Sequence, residues 1–107
     1  MEEIDVINAL AALAQPARLR LFRALVTVGT SGLTPGVIAQ ALDMAPATLS
    51  FHLKELVNAG LVTQERASRN LIYRAAYPRM DALISYLTEN CCQGDTCAVV
   101  ERSTCAC

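Results

Sequence analysis

Cysteine is missing from the first ninety residues of this 107-residue chain, and all five cysteines fall between Cys91 and Cys107. A disulfide framework cross-links distant parts of a fold, which pairs drawn from one short stretch would not do. The neighbours Cys91 and Cys92 also diverge from normal disulfide geometry. Tryptophan is absent, and three tyrosines and two phenylalanines are the whole aromatic complement. With 53% hydrophobic residues, rich in alanine and leucine, that shortage favours small, closely packed helices over a sheet sandwich. The apolar runs are only a few residues long, far short of the roughly eighteen that a membrane span needs. The opening MEEID is acidic where a secretory signal is basic. The expectation is a cytoplasmic protein whose thiols are mostly reduced, with a length that suits one modest core.

Charge is nearly balanced at −1 but unevenly spread. Between Gln15 and Met80 lie eight basic residues (Arg18, Arg20, Arg23, Lys54, Arg66, Arg69, Arg74, Arg79) against three acids (Asp43, Glu55, Glu65). A basic middle between acidic ends suits a surface that meets a polyanion, although a solvated basic face gives the same count.

Ile4, Ile7, Leu10, Leu13 and Ala14 recur at helical spacing and predict a first helix of roughly three turns. Gln15-Pro16 ends it, and Pro16 opens a second helix whose buried face is Leu19, Phe22 or Leu21, Leu25 and Val26. Gly29 to Gly32 is loop chemistry. In TPGVIAQAL, Thr34 is placed to cap a short helix with Pro35 at its first position. Asp43-Met44-Ala45 turns the chain, and Pro46 opens a helix that Gly60 stops. Two short helices joined by such a turn fit a helix-turn-helix, and they fit a plain three-helix bundle equally well. LVTQER and LIYRAA then alternate around the turn Ala67-Ser68-Arg69-Asn70, a β-hairpin with a basic tip. A last helix begins near Pro78, with Met80, Leu83, Ile84 and Leu87 on one stripe. The predicted fold class is mainly α with a β-hairpin wing, a winged helix-turn-helix.

At about 100° per residue, Leu49, Leu53, Leu56 and Val57 share the core stripe of the helix from Pro46. Ala47, Thr48, Phe51, Lys54, Glu55 and Asn58 point away, with Ser50 and His52 on the flanks. A helix in the major groove touches base edges with such residues near its start, and an apolar ring there can meet a thymine methyl. His52, the lone histidine, has no evident nucleophile or carboxylate pair for catalysis, and its expected role is a bond to backbone or phosphate. Arg66 and Arg69 on the hairpin would reach DNA backbone or minor groove, or stay solvated.

The segments LAQPARLRLFRAL and SFHLKELVNAGLV, followed by a hairpin ending in Tyr73-Arg74, resemble the ArsR/SmtB family of metal-responsive repressors. The likeness runs from about Ala9 to about Leu87. It implies a homodimer paired through the first and last helices and bound to double-stranded operator DNA, with no membrane association and no catalytic cofactor. Residues 1–90 would form the DNA-binding and dimerisation domain, and residues 91–107 a cysteine-rich metalloid-sensing segment. The family's thiol motif beside the helix-turn-helix is absent, and the last helix carries no histidine. One branch instead holds a Cys-Cys pair just after that helix and a third cysteine soon after. Cys91, Cys92 and Cys97 look like that arrangement, which implies As(III) or Sb(III) as inducer, and so an arsenical-resistance repressor that binds DNA without metal.

The donor chemistry agrees. Thiols select soft ions over hard ones, and Gly94 gives the intervening turn its freedom. Zinc wants a fourth ligand. Cys105 and Cys107 could supply more thiols, so cadmium, lead and zinc stay open, as does a thiol redox-sensing repressor. An enzyme is disfavoured because Glu89 and Asp95 flank the cysteines with negative charge, the wrong setting for a low-pKa nucleophile.

Overall fold

Each of the four prolines sits in the first turn of a helix, where a missing N–H costs nothing. The computed structural model describes residues 1–90. Its helices are α1 (Glu3–Leu13), α2 (Pro16–Val28), α3 (Pro35–Leu42), α4 (Pro46–Asn58) and α5 (Tyr77–Thr88). A short 3-10 turn, Gly29–Ser31, follows α2, and strands β1 (Val62–Ala67) and β2 (Asn70–Ala75) lie between α4 and α5. Gln15 caps α2 by accepting the Arg18 N–H at 3.0 Å. Thr34 stands at the α3 cap position but makes no side-chain cap bond. Asp43 closes the turn between α3 and α4 in the left-handed region, which a short polar side chain tolerates.

The core joins the helix-turn-helix to its neighbours. Leu21 and Leu25 of α2, Ile38 of α3, Leu49 and Leu56 of α4, then Leu61 and Val62, are all fully buried. Each such side chain contributes about 1.5–3 kcal/mol on leaving water. The Tyr77 hydroxyl donates to the Val26 carbonyl at 2.9 Å and ties the start of α5 to the end of α2.

The strands pair antiparallel from Val62↔Ala75 to Ala67↔Asn70, leaving Ser68-Arg69 as a two-residue turn with Ser68 at φ 62°. A third partner was not foreseen. Leu33 exchanges both backbone bonds with Tyr73, at 3.0 and 2.8 Å, so the segment before α3 lies along β2. Gly32 makes this approach feasible. It adopts φ +69°, and a Cβ there would stand 2.6 Å from Ile72 Cγ2 and 2.7 Å from the Tyr73 carbonyl oxygen.

The apolar stripe of α1 lies largely outside the core. Val6 and Ala9 face the core, while Ile4, Ile7 and Leu10 are exposed. This helix is apolar on more than one side, so its periodicity alone does not select the packed face. Leu19 on α2 is likewise exposed, and of the expected α5 stripe Leu83 is buried while Ile84 and Leu87 are not.

Candidate nucleic-acid interface

The α4 helix is held by its core side. Leu49, Leu53 and Leu56 are buried, Val57 is half-buried, and the opposite side carries Ala47, Thr48, Ser50, Phe51 and Lys54, all exposed. Phe51 is 56% exposed, an unusual setting for a phenyl ring in a chain with so few. The only acid of α4, Glu55, is half-buried beside a cavity of about 390 Å³ that Arg18 and Asn58 also line. The exposed residues of α4 therefore carry no negative charge.

His52 departs from its expected place. It is 7% exposed, and its Nδ1 is buried without a hydrogen-bond partner, so it does not stand on the outward face ready to meet phosphate. The reason is helical spacing, because His52 lies three residues after Leu49 and four before Leu56 and shares their side. Its ring meets Phe51 edge to face, with centroids 5.5 Å apart and planes at 61°.

On the wing, Arg66 and Arg69 are exposed, and neither takes part in a side-chain hydrogen bond or ion pair among the described residues. Arg74 behaves differently. Its Nε donates to the Thr30 carbonyl at 2.6 Å, and its NH1 pairs with Glu65 at 2.6 Å. This arginine braces the wing against the loop after α2 and neutralises the acid on β1. Arg79 faces Asp5 at 3.6 Å, which links α5 to α1. Among the described residues, Arg74 and Arg79 are thus engaged in ion pairs and Arg66 and Arg69 are not. Nothing local marks Arg74 as structural, since Thr30 is 44 residues away. Among the described residues, no three His, Cys, Asp or Glu side chains gather as a group that could hold a metal. Cys91, Cys92 and Cys97 lie outside the described residues.

A helix-turn-helix domain model matches residues 13–65, which span α2, α3, α4 and the start of β1. The chain carries a winged helix-turn-helix domain. Solved structures extend the likeness beyond that span. An ArsR-like transcriptional regulator from Rhodococcus sp. RHA1 superposes with a TM-score of 0.73 at 21% identity, over 96% of this chain and 89% of the other. HlyU from Vibrio cholerae N16961 gives 0.67 at 26% identity, over 86% and 99%. A homodimeric winged helix-turn-helix DNA-binding domain from Mycobacterium bovis gives 0.64 at 27% identity, over 87% and 86%. No curated protein sequence matches the chain. No helix among the described residues is long and apolar enough to cross a membrane. In this winged helix-turn-helix protein, α4 is the second helix of the helix-turn-helix, and the β1–β2 wing follows it.

Proposed function

We propose that this chain is an ArsR-type transcriptional repressor that binds operator DNA as a homodimer and lets go when three thiols close on As(III) or Sb(III). The observation that carries the DNA-binding part is the acid-free exposed face of α4 in a helix-turn-helix domain, beside a wing tip with two uncommitted arginines. In such a domain the start of the second helix meets base edges while wing arginines meet phosphate. The similar homodimeric winged helix-turn-helix DNA-binding domain from Mycobacterium bovis supports the same reading.

A second copy is the natural cover for the apolar side chains left outside the core. Ile4, Ile7 and Leu10 on α1 and Ile84 and Leu87 on α5 are all exposed, and the Arg79–Asp5 pair links these two helices. Burying them between twofold-related copies would set two α4 helices about one DNA turn apart. The sensing half of the proposal rests on the sequence. Cys91, Cys92 and Cys97 follow α5, which ends at Thr88, and their all-thiol donor set suits a trivalent soft ion. Drawing these thiols together would pull on the end of α5 and disturb the spacing of the α4 pair. Such an effector can shift the DNA equilibrium only by its differential affinity for free and bound dimer, and near-complete release needs about 5 kcal/mol.

Fluorescence anisotropy of labelled palindromic duplex from upstream of the gene tests this. Reduced protein is titrated with arsenite, antimonite, cadmium, lead, zinc and peroxide, then each cysteine is changed to serine. The expected result is release by arsenite and antimonite that C91S, C92S and C97S each abolish, and that C105S and C107S preserve. Release by zinc or peroxide alone would sink the metalloid assignment, and a chain that binds no duplex would sink the whole reading.

A further inference from the structure

The recognition face of α4 has an uncommon chemistry for reading bases. From Pro46 to Glu55 it offers no Arg, Asn or Gln, the side chains that most often make paired hydrogen bonds to guanine or adenine. Lys54 is its one cation, and Thr48 and Ser50 supply hydroxyls that accept either base type. What remains is Phe51, a phenyl ring 56% exposed on a helix whose other large apolar residues face inward. Resting against the buried His52 ring, with centroids 5.5 Å apart, it has a fixed neighbour rather than open water on one side.

Helical geometry says where that ring lies. Side chains on a helix lean toward its N-terminus, so Phe51 covers the turn that holds Ala47, four residues earlier on the same side. Ala47 is small and exposed, leaving the approach to the ring open at the end of the helix that enters a groove. The major-groove edges of the base pairs carry one apolar group, the thymine 5-methyl. A phenyl ring has no hydrogen bond to give, and it can discriminate among bases there only by contact with that methyl.

We infer that Phe51 is the specificity-determining residue of α4 and that it selects a thymine methyl in each operator half-site. The inference rests on the regulator reading above. Thr48, Ser50 and Lys54 then tune affinity around a contact that is apolar.

The test begins with duplexes that the wild-type full chain enriches from a randomised pool. Each thymine of the enriched half-site is then replaced by deoxyuridine, which removes the methyl and keeps every hydrogen-bonding group. Burying one methyl corresponds to about a fourfold change in affinity, so one thymine per half-site should weaken wild-type binding by roughly fifteenfold over the two. At that position F51A should bind thymine and uracil duplexes alike, while F51L retains part of the preference. Phe51 is exposed, so F51A should keep the wild-type melting profile, and the uracil scan on the wild-type chain stands without any variant. A wild-type chain indifferent to uracil throughout overturns the inference alone, as does an F51A variant with the same uracil penalty as wild type. A wild-type chain that enriches no sequence overturns the regulator reading too, which keeps the two failures apart.

Discussion

Helix α4 and the pair α1 and α5 treat their apolar residues in opposite ways. On α4 the leucines are all buried in one protomer, and a single large apolar side chain, Phe51, is left outside. On α1 and α5, Ile4, Ile7, Leu10, Ile84 and Leu87 are exposed, and the buried faces are made by the smaller Val6 and Ala9 and by Leu83. Scattered exposed apolar residues are ordinary on a protein surface, but five on two helices joined by an ion pair are more than scatter. The α4 helix is complete within one copy and presents a polar face that fits a nucleic acid. The α1 and α5 helices leave their larger apolar side chains exposed, the surface that the proposed second copy would cover.

The strongest way to break this contrast is to charge that exposed apolar surface. Ile7→Asp together with Leu87→Asp should leave each protomer folded and prevent pairing, since both side chains lie outside the core. Losing one of two linked half-site contacts should reduce affinity for a palindromic duplex by about a hundredfold to ten-thousandfold. Light scattering on a sizing column reads the mass, and anisotropy reads the affinity. A variant that keeps both the dimer mass and the affinity would remove the basis of the comparison.

The two sides of α4 can be set against each other in the same manner. Leu56 is fully buried, so Leu56→Ala should cost about 2–5 kcal/mol in urea denaturation. Phe51→Ala, five residues away, should change stability by no more than about 0.5 kcal/mol. Equal losses would mean that Phe51 is a packing residue. Between these in size falls Gly32→Ala, where a methyl meets the Tyr73 carbonyl oxygen at 2.7 Å in a backbone of φ +69°. It should cost about 1–3 kcal/mol and loosen the Leu33–Tyr73 pairing, seen as faster amide exchange at those two residues.

The elements themselves were legible because prolines, glycines and turn residues bracket them. Helix starts at Pro16, Pro35 and Pro46 and the wing turn near Ser68-Arg69 follow from local chemistry. Faces were less legible. A sequence periodicity shows that Ile4, Ile7 and Leu10 share a side, but that side can face its own core or another chain, and here the core takes Val6 and Ala9. His52 was read as a flank, although its spacing three residues after Leu49 and four before Leu56 sets it beside the buried leucines. Leu33–Tyr73 and Arg74–Thr30 join residues about forty positions apart, and no local pattern announces such contacts. On α4, Ala47, Thr48, Ser50, Phe51, Lys54 and Asn58 are exposed, whereas Glu55, read as outward, is half-buried and His52, read as a flank, is buried. The cysteine site assigned to Cys91, Cys92 and Cys97 falls outside the described residues, as does the boundary drawn at residue 91.

The smallest expected effect separates the two kinds of arginine on the wing. Arg74 and Glu65 are 30% and 60% exposed, so their ion pair should contribute no more than about 1 kcal/mol, and Arg74→Ala should barely move the urea midpoint. Arg66→Ala and Arg69→Ala should not move it at all, since neither side chain is engaged among the described residues. Binding reads them differently. If the free arginines meet phosphate, each alanine should lower the slope of log affinity against log salt by about 1 for that contact, with the duplex preference unchanged. Arg74→Ala also releases Glu65 from its partner, so an uncompensated carboxylate then stands on β1 near the phosphates. Its affinity should fall by repulsion, and Glu65→Gln added to Arg74→Ala should restore most of that loss. If the double change restores nothing, the brace to the Thr30 carbonyl matters more than the charge, and Arg74 acts by holding the wing in place.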